Sequence, residues 1–97
     1  MNTVNLNIFD EFCGKCGNET LHRDVTISSP TQVVDLQRGY ILNVIEIGSN
    51  FAKVLIQNGI NVYIRSVFTT YPMQISIPTG DCNTKHVISI TATIIGV

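Results

Sequence analysis

Apolar and polar residues alternate with a period of two along most of this chain, and this pattern constrains the fold more than any other feature. The clearest case is the segment 86–95, where isoleucine and alanine alternate with serine and threonine from Ile88 to Ile94. Successive side chains of a β-strand point to opposite faces of the sheet, so the segment is predicted to be a strand with one buried face. No segment shows the sustained 3.6-residue period of an amphipathic helix.

Short strands separated by turn signals are predicted along the rest of the chain. Isoleucine, valine and threonine far outnumber leucine, and β-branched residues favour a pleated sheet. Asn58-Gly59 predicts a hairpin with a type I′ turn, which requires positive φ at both central residues. Seven or eight strands at this spacing predict a single β-sandwich of jelly-roll or Greek-key type. The predicted strands cover residues 1–12, 22–28, 32–36, 40–47, 51–57, 60–65, 73–77 and 86–95.

Length and charge exclude several classes of protein. A chain of 97 residues is expected to form one domain. Only 13% of the residues are charged, the net charge is −1, and the scattered cations argue against nucleic acid as a partner. No transmembrane helix and no conventional secretory signal are predicted. No catalytic or phosphate-binding motif is present, so no enzyme activity is predicted, and His22 and His86 are expected to be solvated surface residues.

Three cysteines are the residues most informative about function. Cys13 and Cys16 form a Cys-x-x-Cys pair flanked by glycines, and Cys82 stands alone in a turn before the last predicted strand. An odd number of cysteines cannot be consumed by pairs within one chain. One thiol must therefore stay free, bind a metal, or bond to another molecule.

The N-terminal segment allows two interpretations. Residues 1–12 alternate around Val4, Leu6 and Ile8, which fits either a first strand of the same domain or an arm that reaches about 40 Å into a neighbour. We favour a connector arm over residues 1–17 and a sandwich domain over 18–97, because glycines bracket the cysteines and 17–20 has a hinge-like composition. The 18–97 fragment is then expected to fold as a monomer that does not assemble.

Zinc binding is the chemical alternative. The Cys13–Cys16 pair resembles a zinc knuckle, and a structural zinc site needs four ligands. Cys82 and His86, which have Cys-x-x-x-His spacing, would complete the set, with His22 as a substitute for His86. The alternative function is therefore a small zinc-stabilised binding module.

The low charge of the predicted strands points to assembly. Monomeric sandwiches usually protect their edge strands with charges, proline or bulges, and few charges are available here. The edges are therefore expected to be occupied by other copies of the chain through strand addition.

A cysteine-bearing N-terminal segment with Cys13 and Cys16, followed by a compact sandwich with Cys82, resembles the subunits of bacterial endospore appendage fibres. The resemblance implies a jelly-roll subunit that stacks by sheet augmentation, with disulfides from Cys13 and Cys16 of one copy to Cys82 of a neighbour. It also implies a location at the cell or spore surface, with the cytoplasm as the alternative. The resulting hypothesis is a structural, self-assembling subunit, and a phage structural protein shares the same assembly physics.

Overall fold

The structure, a computed structural model, describes residues 3–14, 17–29, 31–78 and 85–96. These residues form eight strands and one turn of 3-10 helix, Gln37–Gly39. The predicted all-β sandwich is confirmed. The strands are β1 (Thr3–Gly14), β2 (Gly17–Ile27), β3 (Val33–Asp35), β4 (Ile41–Ile47), β5 (Phe51–Asn58), β6 (Asn61–Phe68), β7 (Met73–Pro78) and β8 (Lys85–Gly96).

Two four-stranded sheets make up the sandwich. Sheet A has the strand order β2-β1-β8-β7, and sheet B is the meander β3-β4-β5-β6. Every neighbouring pair is antiparallel. Strands β1 and β8, near opposite ends of the chain, pair in the middle of sheet A, and this pairing joins two hairpins into one sheet.

The core lies between the two sheets and follows the alternation in the sequence. Val4, Leu6 and Ile8 of β1 are fully buried, and so are Ile88 and Ile90 of β8. Each fully buried aliphatic side chain contributes roughly 1.5–3 kcal/mol relative to exposure. Sheet B closes the core from the other side with Leu42, Val44, Ala52, Val54, Ile56 and Val67.

The N-terminal segment forms the centre of sheet A. Of the segment predicted to be an arm, residues 3–14 form β1, which pairs with β2 from Val4↔Ile27 to Gly14↔Gly17 and with β8 on its other side. Residues 17–20, predicted to be a hinge, are the beginning of β2. The physical reason is that β2 and β8 of the same chain pair with β1 on both sides, which satisfies its backbone hydrogen bonds while its apolar face is buried in the core. In this structure residues 3–14 and the rest of the sandwich therefore share one core.

The β5–β6 hairpin is present as predicted, with a different turn. Asn58 pairs with Asn61, so Gly59 and Ile60 are the two central residues. Gly59 has φ of 61°, whereas Ile60 is not among the described residues with positive φ. Positive φ at the first central residue alone is the type II′ pattern, not the expected type I′ pattern. The turn leaves the Ile60 side chain 97% exposed.

Candidate functional site

Cys13 lies near the end of β1 and is the only predicted disulfide residue that the structure describes. It is partly exposed and has a free thiol. Its cross-strand neighbours are Asn18 and Lys85, and the alternation along β1 places its side chain on the outer face of sheet A, opposite to the face of the core. The disulfide predictions for Cys16 and Cys82 fall outside the described residues.

The described residues of the zinc alternative are not close to one another. His86 is opposite Phe12 and points into the sandwich, so His86 and Cys13 lie on opposite faces of sheet A. His22 is on the outer face, where its ring stacks on Phe9 with centroids 4.4 Å apart. Phe9 and Cys13 are four positions apart on β1, about 13 Å along the strand. Within the described residues, no group of three or more histidine, cysteine or acidic side chains could hold a metal ion.

His86 corrects a second expectation, because it is buried instead of solvated. Its Nε2 hydrogen-bonds with Oδ1 of Asp10, and both side chains are excluded from solvent. The other carboxylate oxygen of Asp10 accepts a hydrogen bond from the backbone N–H of Gln37 at 2.6 Å. The Gln37 side-chain amide donates to the backbone carbonyl of Asp10, also at 2.6 Å. We name Asp10, Gln37, Tyr40 and His86 the Asp10 cluster.

Aromatic rings and one guanidinium surround the Asp10 cluster. The rings of Tyr40 and Phe12 approach the His86 ring edge-on, with centroids 4.9 and 6.1 Å away. The guanidinium of Arg38 lies 3.9 Å from the centre of the Phe12 ring, a cation–π contact. Arg38 also lies 3.7 Å from Glu19, but both side chains are well exposed, so that ion pair contributes little. These contacts attach the β3–β4 connection to sheet A.

The chemistry of the Asp10 cluster is structural. The side chain of His86 is only 1% exposed, so a substrate cannot reach its ring in this structure. Its Nδ1 has no hydrogen-bond partner among the described residues. Burial raises the pKa of the Tyr40 phenol, and the nearby Tyr63 raises it further, so Tyr40 remains protonated at neutral pH. The cluster therefore stabilises one end of the sandwich by joining β1, β8 and the Gln37–Gly39 turn.

The outer face of sheet B is apolar and exposed. Val33, Val62 and Ile64 are 53%, 48% and 47% exposed. Directly opposite residues of antiparallel strands share a face, and the register places Leu55 beside Ile64 and Phe51 beside Phe68. Phe68 also stacks on Tyr71, with centroids 5.8 Å apart. We name this surface the apolar face; its members are Val33, Ile41, Phe51, Leu55, Val62, Ile64 and Phe68.

The few charges on the apolar face are of opposite sign. Glu46 and Lys53 are opposite each other on β4 and β5, and Asp35 is opposite Ile41. The outer face of sheet A differs in its uncharged residues, which are mostly polar, although it also carries the charges of Glu11, Asp24 and Lys85. The uncharged polar residues include Asn5, Asn7, Thr26, Gln74, Ser89, Thr91 and Thr93.

The four edge strands differ in how well they are protected. β2 carries Glu19, Arg23 and Asp24, β3 is only three residues long, and β7 ends at Pro78. β6 has eight residues, one charge at Arg65 and no proline. None of the other described strands pairs with its outer edge. By the usual protective devices of edge strands, β6 is the least protected edge in the described part of the chain.

Comparison with known proteins gives no match: no protein-family model, curated protein or solved structure is significantly similar to this chain. The described residues contain no helix long and apolar enough to cross a membrane. The inference of function therefore rests on the surfaces described above.

Proposed function

We propose that this chain is a structural subunit that assembles with copies of itself through the apolar face and the edges of sheet B. The observation that carries the proposal is the exposure of Val33, Val62 and Ile64 on one continuous face. Exposed apolar patches of this kind mark interaction sites on soluble domains. The resemblance to endospore appendage subunits extends the proposal to a fibre at the cell or spore surface.

A second copy fits the apolar face in charge. Glu46 and Lys53 lie side by side, so a two-fold axis brings each residue near its opposite charge on the second copy. A net charge of −1 gives little repulsion between copies. The four strands, of three, seven, eight and eight residues, lie about 4.8 Å apart and cover roughly 400 Å². Two such faces bury about 800 Å², the size of a weak contact, so pairing at the edges of sheet B is needed in addition for a stable assembly.

Cys13 supplies the covalent part of the proposal. Its thiol is free and partly exposed at the end of β1, where a cysteine of a neighbouring copy can approach it. Intersubunit disulfides of Cys13, Cys16 and Cys82 would slow the separation of subunits once they have assembled. Such bonds require an oxidising environment at or after assembly.

Charge substitutions on the two outer faces test the role of the apolar face. We expect Val33→Lys combined with Val62→Lys, both at exposed positions of the apolar face, to weaken self-association at least about tenfold, because each interface then holds four additional desolvated ammonium groups. The measurement is sedimentation velocity over a concentration series under reducing conditions.

The matched control is Gln74→Lys combined with Thr91→Lys, which adds the same charge to the exposed outer face of sheet A. It should sediment like the unmodified chain. An unmodified chain that stays monomeric at every concentration, with or without oxidant, would contradict the proposed function. Equal effects of the two double variants would contradict the assignment to the apolar face.

A further inference from the structure

We propose that β6 pairs antiparallel with β6 of a second copy, with Ile64 on the two-fold axis. This inference rests on the proposed function and specifies the edge and the register of the contact. The occupant of the edge is a second copy of this chain, because the composition and the side-chain alternation of β6 suit it to pairing with itself.

Strand β6 is suited to pairing with itself because of its chemistry. Its only charge is Arg65, and its outward side chains include Val62, Ile64 and Phe68. An antiparallel pair of identical strands brings a charge opposite itself only when that residue lies on the axis. Like charges that lie directly opposite each other destabilise a sheet. In β6 this happens only when Arg65 lies on the axis, and every other register avoids it.

The alternation of side chains limits the possible registers. A two-fold axis perpendicular to the sheet keeps both cores on the same side, so each inward residue must face an inward residue of the other copy. The axis must then pass through a residue of β6, not between two residues. Only axes at Ile64 or Arg65 pair most of the strand, over 61–67 or 62–68. An axis at Arg65 places two guanidiniums opposite each other, so this register is unfavourable. The remaining register has its axis at Ile64.

The Ile64 register produces complementary pairs across the new contact. In the single chain the guanidinium of Arg65 donates to the backbone carbonyl of Ile64 at 2.8 Å. Pairing replaces this contact and brings Arg65 opposite Tyr63 of the second copy on the inward side, where the phenol ring and the guanidinium attract each other. On the outward side Val62 faces Ser66, and the highly exposed Ile60 faces Phe68. The two meanders join into one continuous sheet, and the apolar faces of both copies become a single wider surface. In the proposed assembly, further copies pack against this wider surface.

Site-directed cross-linking tests this register. In a chain with Cys13→Ser, Cys16→Ser and Cys82→Ser, we expect added Ile64→Cys to form a disulfide-linked dimer under mild oxidation. Opposite residues of antiparallel strands have Cα atoms about 4.5–5.5 Å apart, within the range that a disulfide spans. The readout is the dimer band on a non-reducing gel, with a thermal melt of each variant to show that it is folded.

The matched control is Ser66→Cys in the same background, on the same strand and the same face. In the Ile64 register the two Ser66 positions are offset by four residues, about 13 Å, too far for a disulfide. The expected dimer yield of Ile64→Cys is at least about tenfold higher, because paired strands hold the thiols at a high effective concentration. Equal yields, or more dimer from Ser66→Cys, overturn the register. If the chain assembles but Ile64→Cys gives no cross-link, the β6 contact is wrong and the proposed function still stands. If the chain never assembles, the proposed function is wrong as well.

Discussion

Deleting residues 1–17 is expected to unfold the protein instead of releasing a soluble domain. The deletion removes the strand that lies between β2 and β8, together with the fully buried side chains of Val4, Leu6 and Ile8. Three such side chains contribute about 5–9 kcal/mol by burial alone. This is comparable with the whole net stability of a small domain, about 5–15 kcal/mol. The fragment also loses Asp10, the acceptor of the buried cluster.

Circular dichroism and sedimentation of the 18–97 fragment provide the measurement, and the full chain with Cys13→Ser and Cys16→Ser is the control. The control removes the same two cysteines without removing the strand, and it should keep the β-sheet spectrum and a cooperative melt. The fragment should show neither. A fragment that is folded, soluble and monomeric would restore the interpretation of residues 1–17 as an arm and would contradict the central position of β1.

The second large effect is expected from Asp10→Ala. This substitution leaves the buried His86 ring and the backbone N–H of Gln37 without the carboxylate that they contact. Each buried polar group left desolvated and unpaired costs about 1–3 kcal/mol, and this substitution leaves two such groups. We therefore expect a large fall in the urea midpoint of unfolding, with loss of the folded state at elevated temperature.

Asp24→Ala is the matched control for Asp10→Ala. Asp24 accepts a hydrogen bond from Asn5 at 2.8 Å, but the contact is exposed on the outer face of sheet A, so its loss should change the free energy of unfolding by about 1 kcal/mol or less. A further double variant, Asp10→Leu with His86→Leu, should recover part of the lost stability, since both buried polar groups are then removed together. An Asp10→Ala protein as stable as Asp24→Ala would show that the buried cluster contributes little.

Alternation within strands predicts the buried side chains of β1 and β8, but it fails in β6, where the alternating Val62 and Ile64 are exposed. It also does not predict which strands are neighbours. The inward residues of β1 and β8 follow directly from the period of two. The pairing of β1 with β8 brings together residues as distant in sequence as Phe12 and His86, and no local pattern reports such a contact. The N-terminal strand therefore fits an arm and a central strand equally well at the level of sequence. The hairpin at Asn58 was predictable for the opposite reason, because turn chemistry is local.

The Asp10 cluster has a signal in the sequence that is independent of any catalytic motif. Asp10 continues the inward series of Val4, Leu6 and Ile8, and His86 begins the inward series of Ile88 and Ile90. A polar residue at an inward position must find a partner in the core. Two such residues in two strands predict a pair if the strands are adjacent. Adjacency of β1 and β8 was the missing information.

Hydrogen–deuterium exchange at low and high protein concentration tests the central claim that the chain assembles through sheet B while β1 stays within its own sandwich. Amides of β6 that face the open edge should exchange markedly more slowly at high concentration, because they donate to a second copy. Amides of β1 should be equally protected at both concentrations, because β2 and β8 already pair with them. Exchange of β6 that does not depend on concentration, or protection of β1 that appears only on assembly, would contradict this account.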